Sequence, residues 1–127
     1  MPSYVENMVG YLKRRGYTAK YNHAGIYCIK LDNQIVYIGK STNMLYRVAE
    51  HYVGIQMGSE VKYRILAEAV RKNHSITFDV LYDASSFGRE QIQEEIGNME
   101  GEYIRKYRPV LNTQIPKADN WRTYDVV

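Results

Sequence analysis

The feature that most constrains the fold is the stretch from residue 25 to residue 39, which reads GIYCIKLDNQIVYIG. Two β-rich segments, residues 25–31 and 34–39, flank an Asp-Asn pair. Asp and Asn favour tight turns because their short polar side chains bond the local backbone and tolerate positive φ. Each segment carries one tyrosine, Tyr27 or Tyr37. The pattern predicts a β-hairpin with one tyrosine on each strand.

The register of that hairpin decides what the tyrosines do. Side chains alternate along a strand, so Tyr27 shares a face with Ile29, while Tyr37 shares a face with Ile35 and Gly39. A loop of three or five residues would place Tyr27 directly opposite Tyr37, whereas a slip of one residue would separate them. Two interpretations stay open: an aromatic pair that stabilises the sheet, or two phenol oxygens that converge as reagents.

Helices and one further strand account for most of the remaining chain. The periodicity predicts a leading helix from about Ser3 to Arg15, a helix from about Asn43 to Tyr52 ended by GIQMGS, a helix capped by Ser59 and running to about Asn73, a strand over ITFDVLYD, and a helix from about Gly88 to Tyr107 ended by Pro109. The predicted fold class is α+β with a small, mostly antiparallel sheet. The tail from Thr113 onward has no clear period.

Composition sets broad limits on the class of protein. A chain of 127 residues fits one domain, and 17 Lys and Arg against 14 Asp and Glu give a net charge of +3, which is compatible with a nucleic-acid partner without requiring one. The chain has a single cysteine, Cys28, which excludes an internal disulfide framework. No long apolar run or leader is visible, so we expect an intracellular, cytoplasmic protein with no membrane partner.

Two basic or protonatable side chains stand one helical turn apart after the hairpin. Arg47 and His51 are four residues apart, and we expect both to point outward, opposite the apolar stripe of the same helix. A solvated helix face is the alternative interpretation. Lys40, just past the second strand, is a candidate third donor for a phosphate.

The last helix carries a carboxylate at the margin of its apolar stripe. Glu100 lies four residues from Ile96 and from Ile104, and a carboxylate at a core margin needs a cation or a metal as its partner. Gly97 and Gly101 beside it leave room for a backbone or a ligand. Two alternatives stay open: Glu100 pairs with an arginine or lysine, and the glycines serve helix packing.

Together these residues resemble the GIY-YIG nuclease family. Gly25-Ile26-Tyr27 matches the first signature and Tyr37-Ile38-Gly39 the second, with nine residues between the two tyrosines. Arg47 falls where that family keeps its catalytic arginine. The run Glu100, Ile104, Pro109 and Asn112 matches the segment that holds the family's metal-binding glutamate and a structural asparagine.

The resemblance implies a three-stranded antiparallel sheet flanked by helices, and hydrolysis of a phosphodiester bond in DNA with one Mg2+ or Mn2+ ion on Glu100. It implies that Arg47 stabilises the transition state. Tyr27 would accept a proton from water with Tyr37 in the same cluster, although which tyrosine is the base stays open. Lys40, Arg47 or the metal would have to depress the phenol pKa.

The resemblance also bears on the branch of the family and on organisation. His51 would contact the phosphate or relay a proton, and its presence favours a restriction or homing type over an excision-repair subunit. We expect a single nuclease domain over residues 1–127, with an N-terminal helical extension at 1–23, a catalytic core at 24–112 and a tail at 113–127. Gly25, Gly39 and Asn112 would support the site.

Partners and specificity are less constrained. Lys62 and Arg64, in a segment expected to include a loop, are candidate phosphate contacts, although a plain junction between loop and helix is the alternative. Double-strand cutting would need a homodimer or two visits, and a separate chain could supply targeting. A phage or mobile-element origin is compatible with the sequence. Two other functions stay open: a nucleic-acid-binding module that does not cleave, and a protein-interaction domain with a tyrosine-rich surface.

Overall fold

The computed structural model describes residues 3–113, and the predicted tail lies almost wholly outside them. The helices are α1 (Tyr4–Arg14), α2 (Thr18–Tyr21), α3 (Met44–Met57), α4 (Val61–Arg71), α5 (Arg89–Tyr107) and α6 (Val110–Thr113), and the strands are β1 (Gly25–Leu31), β2 (Gln34–Ser41) and β3 (Ile76–Asp83). All strand pairs are antiparallel, in the order β2-β1-β3. The predicted fold class is confirmed, and this is the sheet that the resemblance implies. No helix among the described residues combines the length and apolar character needed to cross a bilayer.

The leading and final helices follow the sequence prediction closely. Ser3 caps α1 by accepting a hydrogen bond from the Glu6 backbone N–H, and Gly16 follows the helix with φ of +86°. α5 ends at Arg108 in a left-handed conformation, immediately before Pro109. The short helices α2 and α6 were not predicted, because four residues are too few to show a helical period.

The hairpin turn is the Asp-Asn pair that the sequence predicts. Leu31 pairs with Gln34, so the loop contains only Asp32 and Asn33, both with positive φ (50° and 70°). Two-residue turns of this kind match the twist of the strands they join. The condition of a three- or five-residue loop, which would have placed Tyr27 opposite Tyr37, is therefore not met, and Tyr27 is opposite Gly39.

A β-bulge nevertheless brings both tyrosines to one face. Next to the turn Lys30 pairs with Ile35, but the following pair is Ile29 with Tyr37, so Val36 is an extra residue in β2. Without it the register would continue as Ile29 with Val36 and place Tyr27 and Tyr37 on opposite faces. The bulge also moves Ile35 off the face of Tyr37, contrary to the simple alternation expected from the sequence.

Helices cover the sheet on both faces. On one face α3 packs over Tyr27, and α4 packs over Ile29 and Leu31. On the other face α5 packs Ile96 against the strand residues of opposite parity, which are Ile26, Cys28 and Ile38. Burial of these apolar side chains contributes roughly 25 cal/mol per Å² removed from water. The strand β2 remains an edge of the sheet.

The middle helices correct two predictions. α3 does not end at the GIQMGS segment but runs through Gly54 to Met57 and stops at Gly58, which has φ of +62°. A glycine within a helix costs about 1 kcal/mol relative to alanine, yet Gly54 is buried in contact with the ring of Tyr63, where a Cβ would collide. Ser59 is not the cap of α4, because Glu60 occupies the N-cap position.

The edge strand is closed by a side chain instead of another strand. The Asn112 side chain accepts a hydrogen bond from the Ile38 N–H at 2.7 Å and donates one to the Ile38 carbonyl at 2.8 Å. An unpaired, buried backbone group costs about 1–3 kcal/mol. One amide therefore satisfies both edge groups of a fully buried residue, which agrees with the structural role expected for Asn112.

We expect Asn112→Ala to lower the free energy of unfolding by about 2–4 kcal/mol, because it leaves both Ile38 groups without their partner. Chemical denaturation measures this loss. Asn112→Asp should also destabilise, since a carboxylate cannot donate to the Ile38 carbonyl. Asn98→Ala, at an exposed position of α5, is the matched control. A loss no larger for Asn112→Ala than for this control would contradict the role of the clamp.

Candidate functional site

A buried histidine bridges two tyrosines on the α3 face of the sheet. The Tyr27 hydroxyl oxygen lies 2.6 Å from His51 Nε2, and the Tyr63 hydroxyl oxygen lies 3.0 Å from His51 Nδ1. His51 is 0% exposed. The expectation that His51 points outward is therefore wrong: α3 turns it toward the sheet, where the two phenols satisfy both ring nitrogens.

Arg47 stands one helical turn before His51 and lies beside the phenols of Tyr27 and Tyr37. Its charge acts on Tyr27 and on Tyr37, and its side chain is 33% exposed with an ion pair to Glu50 at 3.4 Å. The guanidinium is thus anchored beside the phenols and still reachable from solvent. Such a planar group with fixed donors is suited to bind phosphate.

The two motif glycines allow close approaches that a Cβ would block, and at Gly39 the approaching group is Tyr27. A Cβ at Gly39 would collide with the hydroxyl end of the Tyr27 ring, and a Cβ at Gly25 would collide with the Tyr82 carbonyl oxygen and the Met44 side chain. The phenol of Tyr27 therefore lies directly over the backbone of β2. These contacts agree with the supporting role expected for Gly25 and Gly39.

Tyr37 and Lys62 form the more exposed rim of the cluster. The rings of Tyr27 and Tyr37 have centroids 6.5 Å apart, and the Lys62 Nζ lies 5.3 Å from the Tyr37 centroid. Lys62 also forms an ion pair with Glu60 at 3.5 Å. The two interpretations of the tyrosines are therefore compatible. Tyr27 packs beside Tyr37 in the sheet, and its hydroxyl also contacts His51.

The segment expected to contain a DNA-reading loop is mostly helical. Lys62 belongs to α4 and its side chain is 16% exposed, so it lies within the tyrosine cluster rather than on a loop. Arg64 is exposed and its guanidinium lies 3.4 Å from the Gly58 carbonyl, at the end of α3. The structure separates the two candidate phosphate contacts, and only Lys62 approaches the tyrosines.

Lys40 and Glu100 lie on the other side of the edge strand. Lys40 pairs with Ile26, whose side chain faces α5, and the Lys40 Nζ lies 3.7 Å from where a Gly97 Cβ would stand. Lys40 is therefore not in the cluster around Tyr27. Glu100, one turn along α5 from Gly97, is half-buried, and its charge acts on Tyr37. Both roles stay predictions.

Glu100 fits a metal site in which water supplies most of the ligands. Its carboxylate makes no ion pair or hydrogen bond within residues 3–113, so the alternative of a partner arginine or lysine is not observed; Arg47 pairs with Glu50. No three His, Cys, Asp or Glu side chains gather as a metal-binding cluster in the same range. A single half-buried carboxylate suits Mg2+, which keeps several waters and takes the remaining ligands from substrate phosphate.

Burial sets the proton affinities in the cluster. Burial raises the pKa of Tyr27, the neighbouring Tyr37 raises it further, and Arg47 only partly opposes this. The expectation that nearby cations depress the phenol pKa is therefore wrong for the chain's own residues. Burial lowers the pKa of His51 to about 3, with Arg47 and Lys62 adding to the effect. His51 is neutral at physiological pH, with one donor and one acceptor nitrogen.

Acid should destabilise the protein through His51. In the unfolded chain the pKa is near 6.5, so between about pH 6.5 and 3 the unfolded state binds a proton there and the folded state does not. The free energy of unfolding therefore falls as pH drops through that range. Between pH 7.5 and 4.5 we expect wild type to lose about 2.7 kcal/mol more than His51→Gln, because this range extends two units below the unfolded pKa and each unit is worth about 1.4 kcal/mol. Urea denaturation at both pH values measures it; equal losses in the two proteins would contradict the assignment.

Sequence reasoning missed Tyr63 and Gly54. Both depend on α3 continuing past Tyr52, because Gly54 meets Tyr63 only when the helix includes it. The available signal was spacing: Gly54 stands three residues after His51 and so shares its helical face. Once the segment is taken as a helix breaker, that relationship disappears.

The side chains of this site lie apart from a tyrosine-lined cleft of the protein. That cleft, of about 630 Å³, lies between α1 and α3 and is lined by tyrosines such as Tyr11 and Tyr52. None of Tyr27, Arg47 or Glu100 lines it.

A solved structure of another protein is similar to this chain, whereas no family model and no curated protein matches it. The similar structure is the N-terminal GIY-YIG endonuclease domain of UvrC from Thermotoga maritima, a point mutant bound to its catalytic divalent cation. The identity is 25% over 76% of this chain and 89% of that chain, with a TM-score of 0.45.

Proposed function

We propose that this protein is a metal-dependent DNA endonuclease that hydrolyses a phosphodiester bond with a water activated through Tyr27. The observation that carries the proposal is the Tyr27 phenol, bonded at 2.6 Å to a neutral, buried imidazole and lying against the Arg47 guanidinium. A tyrosine that only packs needs a hydrogen-bond partner for its buried hydroxyl, but it does not need a cation beside it. A phenol between a proton acceptor and a phosphate-binding cation is arranged for chemistry.

The proton balance explains why His51 is needed. A neutral phenol has one hydrogen to donate and two lone pairs to accept with, so it can take a proton from water only by giving up its own. His51 Nε2 lies in hydrogen-bond contact with that hydroxyl. Water then attacks phosphorus while its proton passes to the Tyr27 oxygen and the phenol proton passes to His51. The P–O3′ bond breaks and the leaving 3′ oxygen takes a proton from solvent, which gives a 3′ hydroxyl and a 5′ phosphate. His51 then returns its proton through Tyr27 to solvent.

The low basicity of His51 makes the relay dependent on substrate. After burial, the cations Arg47 and Lys62 are the causes that lower the His51 pKa. A phosphodiester anion beside Arg47 offsets part of that positive charge and so raises the basicity of the imidazole. Both ring nitrogens of His51 already contact a phenol, Tyr27 or Tyr63, which favours the proton relay over the alternative of direct phosphate contact.

Arg47 and Glu100 complete the proposed site from opposite sides of β2. Arg47 holds the phosphate and stabilises the charge that develops on its oxygens. Glu100 would hold one Mg2+ or Mn2+ ion, which supplies Lewis-acid stabilisation of the phosphate and the leaving oxygen. Tyr27 is itself 0% exposed, so Tyr37, whose ring packs beside it, would have to move for water to reach the Tyr27 hydroxyl. Lys40 would contact the phosphate backbone on the α5 side.

Supercoiled plasmid tests the proposal directly. Wild-type protein with Mg2+ or Mn2+ should convert it to nicked or linear DNA, and EDTA should stop the reaction. If the protein shifts DNA on a gel at low salt but does not cut it whichever divalent ion is added, the non-cleaving module replaces the proposal. If it neither cuts nor shifts DNA, the tyrosines are better explained as a protein-contact surface.

The finer assignments follow from the same assay. We propose a restriction or homing type of enzyme rather than an excision-repair subunit, because His51 is part of the tyrosine cluster. One site cuts one strand, so linear product formed without a nicked intermediate would indicate a homodimer. Sequencing the ends of cut random-sequence DNA would separate sequence readout from structure readout or a separate targeting chain.

A further inference from the structure

The hydroxyl of Tyr63 is a second polar contact of His51 that the proposed chemistry does not explain. It lies 3.0 Å from Nδ1, Tyr63 is 4% exposed and His51 is fully buried. Tyr63 belongs to α4, and its hydroxyl contacts His51 on the neighbouring helix α3. A phenylalanine would fill the same space, so the hydroxyl group calls for a separate reason.

The hydrogen-bond inventory gives that reason. A neutral imidazole donates from one nitrogen and accepts at the other. The Tyr27 contact, at 2.6 Å, matches an O–H donor, whereas the Tyr63 contact, at 3.0 Å, matches the usual length for an N–H donor. Arg47 can only donate, and it lies against the Tyr27 oxygen. The lone pairs of Tyr27 therefore face Arg47, and its proton faces His51 Nε2.

We propose that Tyr63 is a positioning residue: by accepting a hydrogen bond from Nδ1–H, it fixes the His51 tautomer whose Nε2 is free to take the proton of Tyr27. The inference rests on the proposed function for its consequence in catalysis. The tautomer itself is a property of the folded chain and is measurable without any reaction.

The surrounding residues hold Tyr63 at that distance. Gly54 is on the same face of α3 as His51, and a Cβ there would collide with the Tyr63 ring. The ring therefore lies against the helix backbone, which brings its hydroxyl to Nδ1. On the other side the Lys62 Nζ lies 4.9 Å from the Tyr63 centroid. The phenol is thus confined between a glycine and a cation.

The tautomer can be read by nitrogen NMR on protein labelled at histidine. In wild type we expect the His51 signals of a protonated Nδ1 and an unprotonated Nε2. In Tyr63→Phe the Nδ1–H loses its acceptor, so the population should move toward the Nε2–H form, which can donate to Tyr27 instead. Tyr52→Phe is the control. It removes a hydroxyl from the residue that follows His51 in α3, and the two ring nitrogens of His51 contact Tyr27 and Tyr63 instead, so the tautomer should be unchanged.

Kinetics give the second readout. We expect Tyr63→Phe to lower kcat by about 10- to 100-fold with KM unchanged, the usual effect of losing a group that orients a reacting residue. Gly54→Ala retains the Tyr63 hydroxyl but displaces its ring, and should shift the tautomer in the same direction. An Nε2–H tautomer in wild type, or an unchanged tautomer in Tyr63→Phe, would overturn the inference. Wild type that cuts no DNA would overturn the proposed function instead, and the NMR result would still decide the tautomer.

Discussion

Glu100→Gln should lower the rate of Mg2+-dependent plasmid cleavage by about 10³-fold or more. The change keeps the size of the side chain and removes its charge, and the half-buried carboxylate makes no ion pair or hydrogen bond within the described part of the chain. Stabilisation by a bound divalent ion is worth several kcal/mol, and each ~1.4 kcal/mol is a factor of ten in rate. Initial rates of nicking at saturating Mg2+ measure the loss.

Metal binding provides an independent check of the same residue. An ion that binds only the folded state raises Tm as its concentration increases, and this shift should disappear in Glu100→Gln. Glu102→Gln changes an exposed carboxylate two residues away on the same helix and should keep both the activity and the shift. Undiminished cutting by Glu100→Gln would remove Glu100 as the single metal ligand.

Tyr27→Phe should lower kcat by about 10²- to 10⁴-fold, the range associated with loss of a proton acceptor. The ring that packs over Gly39 is retained, so the hairpin and its register should persist. The hydroxyl that would take the proton from water and pass its own to His51 is lost. Single-turnover cleavage at saturating enzyme isolates this step from binding.

The matched control for this substitution is Tyr21→Phe. Tyr21 belongs to the same buried cluster as Tyr27, yet its hydroxyl does not contact His51. It should keep nearly the wild-type rate. DNA affinity should be unchanged in both variants, because neither removes a cation. If Tyr27→Phe cut as fast as Tyr21→Phe, the proton acceptor would have to be another group, with Tyr37 the next to test.

Local patterns predicted most of the fold. Asp32-Asn33 indicated the turn, and the periodicity of α1 and α5 located both helices to within one or two residues. The register could not be predicted, because a bulge at Val36 depends on packing against α4 and leaves no mark on the alternation of apolar residues. The same limit applies to Gly54, whose cost to the helix is offset by the ring of Tyr63.

Motif spacing predicted the site better than local structure did. Tyr27, Tyr37 and Arg47 lie together as the resemblance implied. The orientation of His51 was mistaken because the face opposite an apolar stripe usually points to water, whereas here α3 is covered by α1 and α4 and buries more than one stripe. Burial raises the pKa of Tyr27 more than Arg47 lowers it, and the balance between these two effects cannot be predicted from sequence.

Because of the bulge in β2, the face of the sheet on which Tyr37 lies depends on whether the number of residues between the turn and Tyr37 is odd or even. Adding or deleting one residue between the turn and Tyr37 moves that tyrosine through the sheet, from the side of Arg47 to the side of Ile96. Adding or deleting two returns it to its original side. Related hairpins can therefore vary in length only by steps of two, or by pairing each insertion with the loss of the bulge, if their tyrosines are to stay beside the arginine.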